Sequence, residues 1–162
     1  MMDLTQKNGA KKSDLIQLVS FKLGIEEFGV NILKVREINR FMEITQMPQA
    51  PDFVEGIINL RDKVIPVINL RKRLHMETAP MDKNTRIIVV EIDGRILGFI
   101  VDSVSKVLRI SADIIEPAPE ITMGVRTDYI SGVAKLERNL LIFLDLDRVL
   151  NHEEVSLLEK AA

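Results

Sequence analysis

The sequence predicts an all-β protein made of two fused five-stranded barrels, related by an approximate internal twofold repeat, with short helical turns and a C-terminal helix. Two observations lead to this prediction. Short apolar runs rich in Ile and Val alternate with turns that contain Gly, Asp or Glu, which is the pattern of short strands joined in hairpins. The same succession of runs and turns then occurs a second time along the chain.

The repeat becomes visible when the two halves of the chain are aligned. Residues 18–38 align with residues 87–107, 69 positions further on, and residues 53–74 align with residues 129–150, 76 positions further on. Gly56 and Gly132 occupy the same place in the second block, inside a strand, so each is expected at a bulge or a close approach of two backbones.

Each copy is predicted to supply five strands. Two form a hairpin, a third lies near residues 42–47 in the first copy and 106–111 in the second, and two more flank the turn of the Gly-containing block. Five short antiparallel strands protect their edges best by closing into a small barrel. The sequence leaves open whether each copy is one barrel or whether the barrels exchange strands.

Turns and helix caps support the individual elements. Asp93-Gly94 is a strong signal for a hairpin turn in which both residues have positive φ. Asn31, Asn69 and either Asp145 or Asp147 precede short helical turns that they can cap, and residues 152–161 read as an amphipathic helix.

The predicted domain organisation is simple. Residues 1–14 are polar and are expected to form a mobile tail. Residues 15–158 are expected to form a single domain made of two repeats, at about 15–76 and 84–152.

Composition excludes several classes of partner. The 22 basic and 24 acidic residues give a net charge of −2, which offers no overall positive field for nucleic acid or an anionic membrane. The chain has no cysteine, and no apolar run approaches the length of a membrane span. The expected protein is cytoplasmic, without nucleic-acid binding or membrane insertion.

Residues suited to catalysis are scarce. The only histidines, His75 and His152, lie a whole repeat apart and read as solvated surface residues. Asp145 and Asp147 could hold a hard cation, but helix capping explains them better, and Asn69 replaces Asp145 in the other copy. No phosphate-binding loop or nucleophile motif is present. We therefore expect no enzyme activity, no catalytic residue, no cofactor and no metal.

Differences between the two copies indicate candidate functional residues. A distinctive exposed group that only one copy carries was not required by the shared scaffold. Arg61 is such a group because its counterpart is Glu137, and Asp62 has Arg138 as its counterpart. For any single position, drift on a solvated turn is an equally good explanation.

A second group of candidates follows the first hairpin. Val35, Glu37 and Ile38 come after a predicted helical turn, where the chain re-enters a strand. An apolar residue there can line the crevice between the lobes, and core packing is the alternative explanation.

Four segments carry a resemblance to a known family. FKLGIEEFGVNILKVREI, PDFVEGIINLRDKVIPVINLRKRL, LGFIVDSVSKVLRI and ISGVAKLERNLLIFLDLDRVL are similar to the CheW family of bacterial chemotaxis coupling proteins. The resemblance covers residues 15–158, which leaves no room for the receiver domain or kinase core of other relatives. It implies two SH3-like barrels and a stand-alone, non-catalytic adaptor between the cytoplasmic tips of chemoreceptors and the regulatory domain of the histidine kinase CheA.

The resemblance also implies where the partners bind. One lobe would join a lobe of the kinase domain end to end, and the receptor tip would lie in the groove between the lobes. Val35 and Arg61 would serve the receptor groove, whereas Glu37 and Ile38 would contact the kinase or the receptor. The complete set of expected partner-binding residues is Val35, Glu37, Ile38, Arg61, Asp62 and Val104, the last being the counterpart of Val35.

The chain departs from the family at one motif position. The family usually has Gly after the Arg of NLR, and this sequence has Asp62. Asp tolerates the left-handed backbone conformation better than most residues, so the turn is expected to persist.

Two alternative functions remain open at this point. The first is a CheW-like scaffold in a kinase pathway other than chemotaxis. The second, which no motif favours, is a small-barrel protein that binds nucleic acid.

Overall fold

The computed structural model describes residues 14–117 and 127–161. The predicted tail therefore lies outside the described residues, except for Asp14. The strands are β1 (Leu15–Leu23), β2 (Glu26–Asn31), β3 (Val35–Arg40), β4 (Val54–Leu60), β5 (Lys63–Asn69), β6 (Arg86–Ile92), β7 (Arg95–Val101), β8 (Ser103–Ser111), β9 (Ile115–Glu116), β10 (Ile130–Lys135) and β11 (Leu140–Leu144). The helices are α1 (Leu70–Arg73), α2 (Leu146–Val149) and α3 (His152–Ala161).

The strands form two sheets, which confirms the all-β prediction. One sheet has the order β8-β1-β2-β11-β10-β9, and we call its part of the molecule the first lobe. The other has the order β3-β6-β7-β5-β4 and defines the second lobe. Each strand of the second lobe has its repeat counterpart at the same place in the first, and the isolated bridge of Thr45 to Ile57 corresponds to the pairing of β9 with β10.

The lobes exchange their hairpins. The hairpin β1-β2 of the first repeat belongs to the first lobe, where it lies between β8 and β11 of the second repeat. The hairpin β6-β7 of the second repeat lies in the same way between β3 and β5. Each hairpin joins its host through a parallel pair, with Gly29 opposite Phe143 and Gly98 opposite Val67. The question of strand exchange is thus answered: neither sequence repeat alone makes a lobe.

The prediction for the two equivalent glycines is confirmed. The pairing register shifts between Val54 and Gly56 and between Ile130 and Gly132, so each glycine lies at a β-bulge. A Cβ atom at Gly56 would overlap the carbonyl oxygen of Thr45. Glycine is therefore required there by the close approach of a neighbouring segment.

Among the described residues, three apolar clusters hold the fold together. Each lobe has a small core of its own, around Ile58, Ile65 and Ile87 in the second lobe and around Leu18 and Leu141 in the first. The largest cluster lies between the lobes, and we call it the central cluster. Strands β1 and β6 face a lobe core on one side and the central cluster on the other, which explains why four successive residues are buried in each, 18–21 in β1 and 87–90 in β6.

The local predictions are confirmed with one correction. Asp93 and Gly94 both have positive φ (53° and 74°), and the side chains of Asn31 and Asn69 accept hydrogen bonds at the starts of their helical turns. Asp145, not Asp147, caps α2. The prediction of a third strand near residues 42–47 was wrong: only Thr45 makes a bridge there, and the third strand is β3, earlier in the chain.

Candidate partner-binding surface

The turn between β4 and β5 presents the residues that distinguish the two repeats. Arg61 and Asp62 are its two central residues, with φ of 49° and 68°. Leu60 and Lys63 pair on either side, so the turn has two residues, both left-handed, as the twist of a tight hairpin favours. Asp62 therefore adopts the conformation that glycine would supply, and the turn persists as expected.

Arg61 forms an ion pair with Glu37 of the neighbouring edge strand. Its Nη2 group donates a hydrogen bond to the Glu37 carboxylate. The Arg61 side chain is 72% exposed, whereas that of Glu37 is only 26% exposed. The hydrogen bond from Arg61 holds the pKa of Glu37 below its usual range. The pair connects β3 to the turn and leaves most of the guanidinium open to a partner.

A depression of about 330 Å³ lies beside this ion pair. Its floor is apolar and includes Ile65 and Val89, both buried. Charged side chains form its rim. The residues that line it are Arg36, Glu37, Leu60, Arg61, Lys63, Ile65, Val89 and Ile96. We refer to it as the Arg61 depression.

The cations on the rim differ in their partners. Arg36 Nη1 lies 2.6 Å from a carboxylate oxygen of Glu91. The ammonium group of Lys63 makes no hydrogen bond or ion pair with the part of the chain that the structure describes. An apolar floor with an unneutralised ammonium group suits a partner that offers an apolar side chain next to a carboxylate.

The other predicted residues lie elsewhere. Val35 and Val104 are half-buried and pack against the central cluster, one from each lobe. Ile38 is 39% exposed and pairs with Ile88, whereas Glu37 pairs with Val89, so the two side chains lie on opposite faces of β3. The structure therefore brings Glu37, Arg61 and Asp62 together and separates the three apolar residues from them.

One exposed residue escaped the sequence analysis. Val107 is 54% exposed on β8, an edge strand of the first lobe, and is the repeat counterpart of Ile38 on the edge strand β3. Each edge strand thus carries a half-buried valine and, three positions later, an exposed aliphatic residue. The repeat alignment contains the signal for Val107, because it pairs positions 38 and 107.

A second depression, of about 350 Å³, is lined by Arg71 and Asp102, whose opposite charges neutralise each other. Arg71 Nε donates to Asp102 over 2.9 Å, and a second hydrogen bond joins Arg71 Nη2 to the same carboxylate. Gly24 N also donates to Asp102, over 2.7 Å. Burial alone would raise the pKa of Asp102, but these hydrogen bonds outweigh it and hold the pKa below its usual range.

Acidic and histidine side chains are dispersed over the part of the chain that the structure describes. Within residues 14–117 and 127–161, no three His, Cys, Asp or Glu side chains are grouped as metal ligands. Asp147, the second carboxylate of the LDLD segment, lies 3.2 Å from Lys34 Nζ. No helix in the same ranges is long and apolar enough to cross a bilayer.

Comparison with known families gives a match over most of the chain. Residues 17–154 match the model of the CheW-like domain. A protein from Klebsiella aerogenes named chemotaxis protein CheW is 38% identical over 146 residues, which are 90% of this chain and 88% of that protein. A protein of the same name from Treponema pallidum is 33% identical over 150 residues, with 90% and 88% covered.

A solved structure shows the same architecture. The crystal structure of the scaffolding protein TtCheW from Thermoanaerobacter tengcongensis matches with a TM-score of 0.80 at 38% sequence identity. The match covers 87% of this chain and 96% of that one. The similarity therefore extends over both lobes.

Proposed function

The chain belongs to the CheW-like domain family, and on that premise we propose that it is a non-catalytic adaptor that couples chemoreceptor tips to the regulatory domain of a CheA-type histidine kinase. It would act in the cytoplasm, with residues 15–158 as one functional domain. Two relatives are named chemotaxis protein CheW, and the scaffolding protein TtCheW has the same fold. The binding of chemoreceptors, the binding of the kinase and the cytoplasmic location are the parts that we propose.

The observation that carries the proposal is the Arg61 depression. Arg61 is exposed and forms an ion pair with Glu37. The ammonium group of Lys63, which lines the same depression, makes no ion pair or hydrogen bond with the described residues. Charged residues around an apolar floor are typical of a protein-binding surface. We assign Arg61, Asp62 and Glu37 to one partner contact on this side of β3.

The apolar residues form the second part of the proposed site. Val35, Ile38 and Val104 lie at or near the central cluster, where the edge strands of the two lobes begin. Half-buried valines give the wall of a groove its shape more than they supply binding energy. We assign Val35 and Val104 to the groove that receives the receptor tip, and Ile38 to its exposed rim.

Reversal of the charge at Arg61 tests the proposal. In Arg61→Glu the new carboxylate replaces the ion pair with repulsion from Glu37, and like charges at an interface cost several kcal/mol of binding free energy. We expect a large loss of kinase activation in assemblies reconstituted from adaptor, kinase and receptor fragments. Titration with kinase and receptor separately will show which contact is lost.

The matched control is Arg138→Glu, the same charge change on an exposed turn of the first lobe. It is expected to keep its activation. Full activation by Arg61→Glu would remove Arg61 from the site. If the purified chain captured a kinase but no chemoreceptor from its own cytoplasm, a scaffold in a different kinase pathway would replace the proposal.

A further inference from the structure

A single arginine lies between the equivalent aromatic residues of the two repeats. The guanidinium carbon of Arg73 is 4.9 Å from the ring centre of Phe53 and 5.1 Å from that of Tyr129. Phe53 precedes β4 in the second lobe, and Tyr129 precedes β10 in the first, 76 positions later. The nearly equal distances, together with the contact of Arg73 with its own repeat counterpart Val149, place the guanidinium close to the axis that relates the two repeats.

The same group makes hydrogen bonds to two further elements. Arg73 Nε donates to the carbonyl oxygen of Val149 over 2.6 Å, and Nη2 donates to Glu154 Oε1 over 3.0 Å. Val149, at the end of α2, is the repeat counterpart of Arg73 itself. The side chains of Arg73 and Glu154 are only 13% and 20% exposed.

Glu154 is fixed from its other side by the start of α3. Asn151 N donates to Glu154 Oε1 over 2.9 Å, and Glu154 N donates to Asn151 Oδ1 over 2.7 Å, which is a reciprocal capping arrangement. Val155 and Leu158 of the same helix are buried in the central cluster. The carboxylate that receives Arg73 is thus attached to a docked helix.

The asymmetry of this site follows from its position. Two arginines at equivalent places would bring two cations together near the axis, so only one repeat can carry the group. Val149 fills the second place and offers its carbonyl oxygen instead. Arg73 follows β5 of the second lobe, whereas Tyr129 and Val149 flank β10 and β11 of the first, so its contacts with these two residues join the lobes in one orientation. The hydrogen bond to Glu154 adds α3, whose Val155 lies beside β5 and β7 of the second lobe.

Apolar packing alone would hold the lobes together but would specify their angle less sharply. Buried cations contribute little net stability compared with apolar residues of similar size, because desolvation offsets the attraction. Hydrogen bonds from a planar guanidinium are directional, and two aromatic faces restrict its plane. The geometry therefore suits specification of orientation better than stabilisation.

We propose that Arg73 is a positioning residue that fixes the orientation of the two lobes and thereby the separation of the edge strands β3 and β8. The consequence for coupling rests on the proposed function, because those strands carry Val35 and Val104. The role of Arg73 in orienting the lobes does not depend on that function.

The test measures the distance between the lobes directly. The chain has no cysteine, so Asn59→Cys and Lys135→Cys can be spin-labelled without background. These two positions are exposed repeat counterparts on β4 and β10. We expect a single narrow distance distribution in the parent protein and a broader, shifted one in Arg73→Met, which keeps an apolar side chain between the rings.

Two further variants separate orientation from stability. Ile58→Ala weakens the core of the second lobe alone, and Arg148→Met removes an exposed arginine on α2. Both are expected to keep the narrow distribution, even where Ile58→Ala lowers Tm as much as Arg73→Met does. Arg73→Lys keeps the charge without the planar group and is expected to give an intermediate width.

The outcomes are decisive for the proposal. The proposal is wrong if the distance distribution of Arg73→Met is the same as that of the parent protein. It is also wrong if Ile58→Ala lowers Tm by the same amount and broadens the distribution equally. If Arg73→Met does not fold, the width of the distance distribution is measured in Arg73→Lys and Glu154→Gln instead. Distributions as narrow as that of the parent protein in both variants would overturn the proposal. Kinase activation is expected to fall roughly fivefold or more in Arg73→Met, the lower limit of typical coupling factors. If the parent protein fails to activate any kinase, the proposed function is wrong. The distances between the spin labels would still test whether Arg73 orients the lobes.

Discussion

Two ion pairs tie the helical turns α1 and α2 to the strand connections beside them, at positions that the repeat makes equivalent. In the second lobe Arg71 of α1 holds Asp102 with two hydrogen bonds. In the first lobe the counterpart of Arg71 is Asp147, which faces Lys34 at 3.2 Å. Lys34 directly follows the counterpart of Asp102, so the same junction is made with the charges reversed.

The two junctions differ in burial as well as in sign. The side chains of Arg71 and Asp102 are 16% and 33% exposed, and those of Lys34 and Asp147 are 39% and 50% exposed. Arg71 also donates to the carbonyl oxygen of Glu77 over 2.6 Å. Both copies thus have an ion pair at this junction, with opposite polarity. In the second lobe it is a largely buried clamp, and in the first it is a surface contact.

A similar reversal occurs at the proposed partner surface. Glu37 and Arg61 of the second lobe correspond to Lys106 and Glu137 of the first. Opposite charges at equivalent positions give the surfaces of the two lobes different electrostatic character without any change of fold. The comparison therefore shows how a duplicated β structure can offer two distinct surfaces.

The largest expected effect concerns the equivalent glycines. In Gly56→Ala the new methyl group overlaps the Thr45 carbonyl oxygen, a backbone atom that cannot move aside. In Gly132→Ala the nearest atom is the Cγ2 methyl carbon of Ile115, and the Glu116 carbonyl oxygen lies 2.8 Å away, farther than the Thr45 oxygen lies from Gly56. We expect losses of about 3 kcal/mol or more and about 1–2 kcal/mol, respectively, by the usual cost of overpacking. Urea unfolding measures both, and equal losses would contradict the ranking.

The next effect separates the two junctions. Asp102→Asn leaves a half-buried guanidinium without its counter-charge, and we expect a loss of about 2 kcal/mol, below the range for fully buried pairs. Lys34→Met removes an exposed pair and is expected to cost less than about 1 kcal/mol. The midpoints of urea unfolding at neutral pH provide the measurement. If Lys34→Met lost more unfolding free energy than Asp102→Asn, the pair of Lys34 and Asp147 would be the structural clamp and the pair of Arg71 and Asp102 the surface contact.

The clamp should also respond to acid. Because the pKa of Asp102 is lowered in the folded protein, its stabilisation is present above the ordinary pKa of aspartate, about 3.9, and is lost as the pH falls through the lowered value. The difference in unfolding free energy between the parent protein and Asp102→Asn should therefore shrink when measured at pH 3 instead of pH 7. A difference that stays constant would show that the charge of Asp102 does not produce it.

The smallest expected effect is at the partner surface. Arg61→Gln removes the guanidinium that lowers the pKa of Glu37, so this pKa should rise towards its ordinary range. An NMR titration of the Glu37 carboxyl carbon measures the change. Arg138→Gln, on the exposed turn of the other lobe, serves as the control and should leave the titration of Glu37 unaltered. No rise in the Arg61 variant would mean that the ion pair is absent in solution.

Local structure could be predicted from the sequence because short-range chemistry determines it. The turn at Asp93-Gly94, the caps at Asn31 and Asn69, and the bulges at Gly56 and Gly132 all follow from what those residues permit. Strand exchange could not be predicted in this way. Both hairpins present the same edges to either host, and the repeat alignment is identical for exchanged and unexchanged lobes.

The site was predicted in part for a related reason. Glu37 and Arg61 were both candidates, but their ion pair joins positions 24 apart and depends on the pairing of β3 within the sheet. Arg73 was missed because its role depends on a contact between lobes. The sequence did contain a signal: in the second block of the repeat alignment, which begins with the matched aromatic residues Phe53 and Tyr129, Arg73 is aligned with Val149.

The exchange of hairpins has a consequence for the ancestry of the chain and for its assembly. A single repeat cannot complete a sheet by itself, because its hairpin and its remaining strands belong to different sheets. Two free copies of such a repeat would have to swap hairpins as a dimer to bury their apolar faces. Joining two copies in one chain turns that bimolecular step into an intramolecular one, free of any dependence on concentration. The covalent link then lets each half evolve charges that a symmetric dimer would be forced to duplicate.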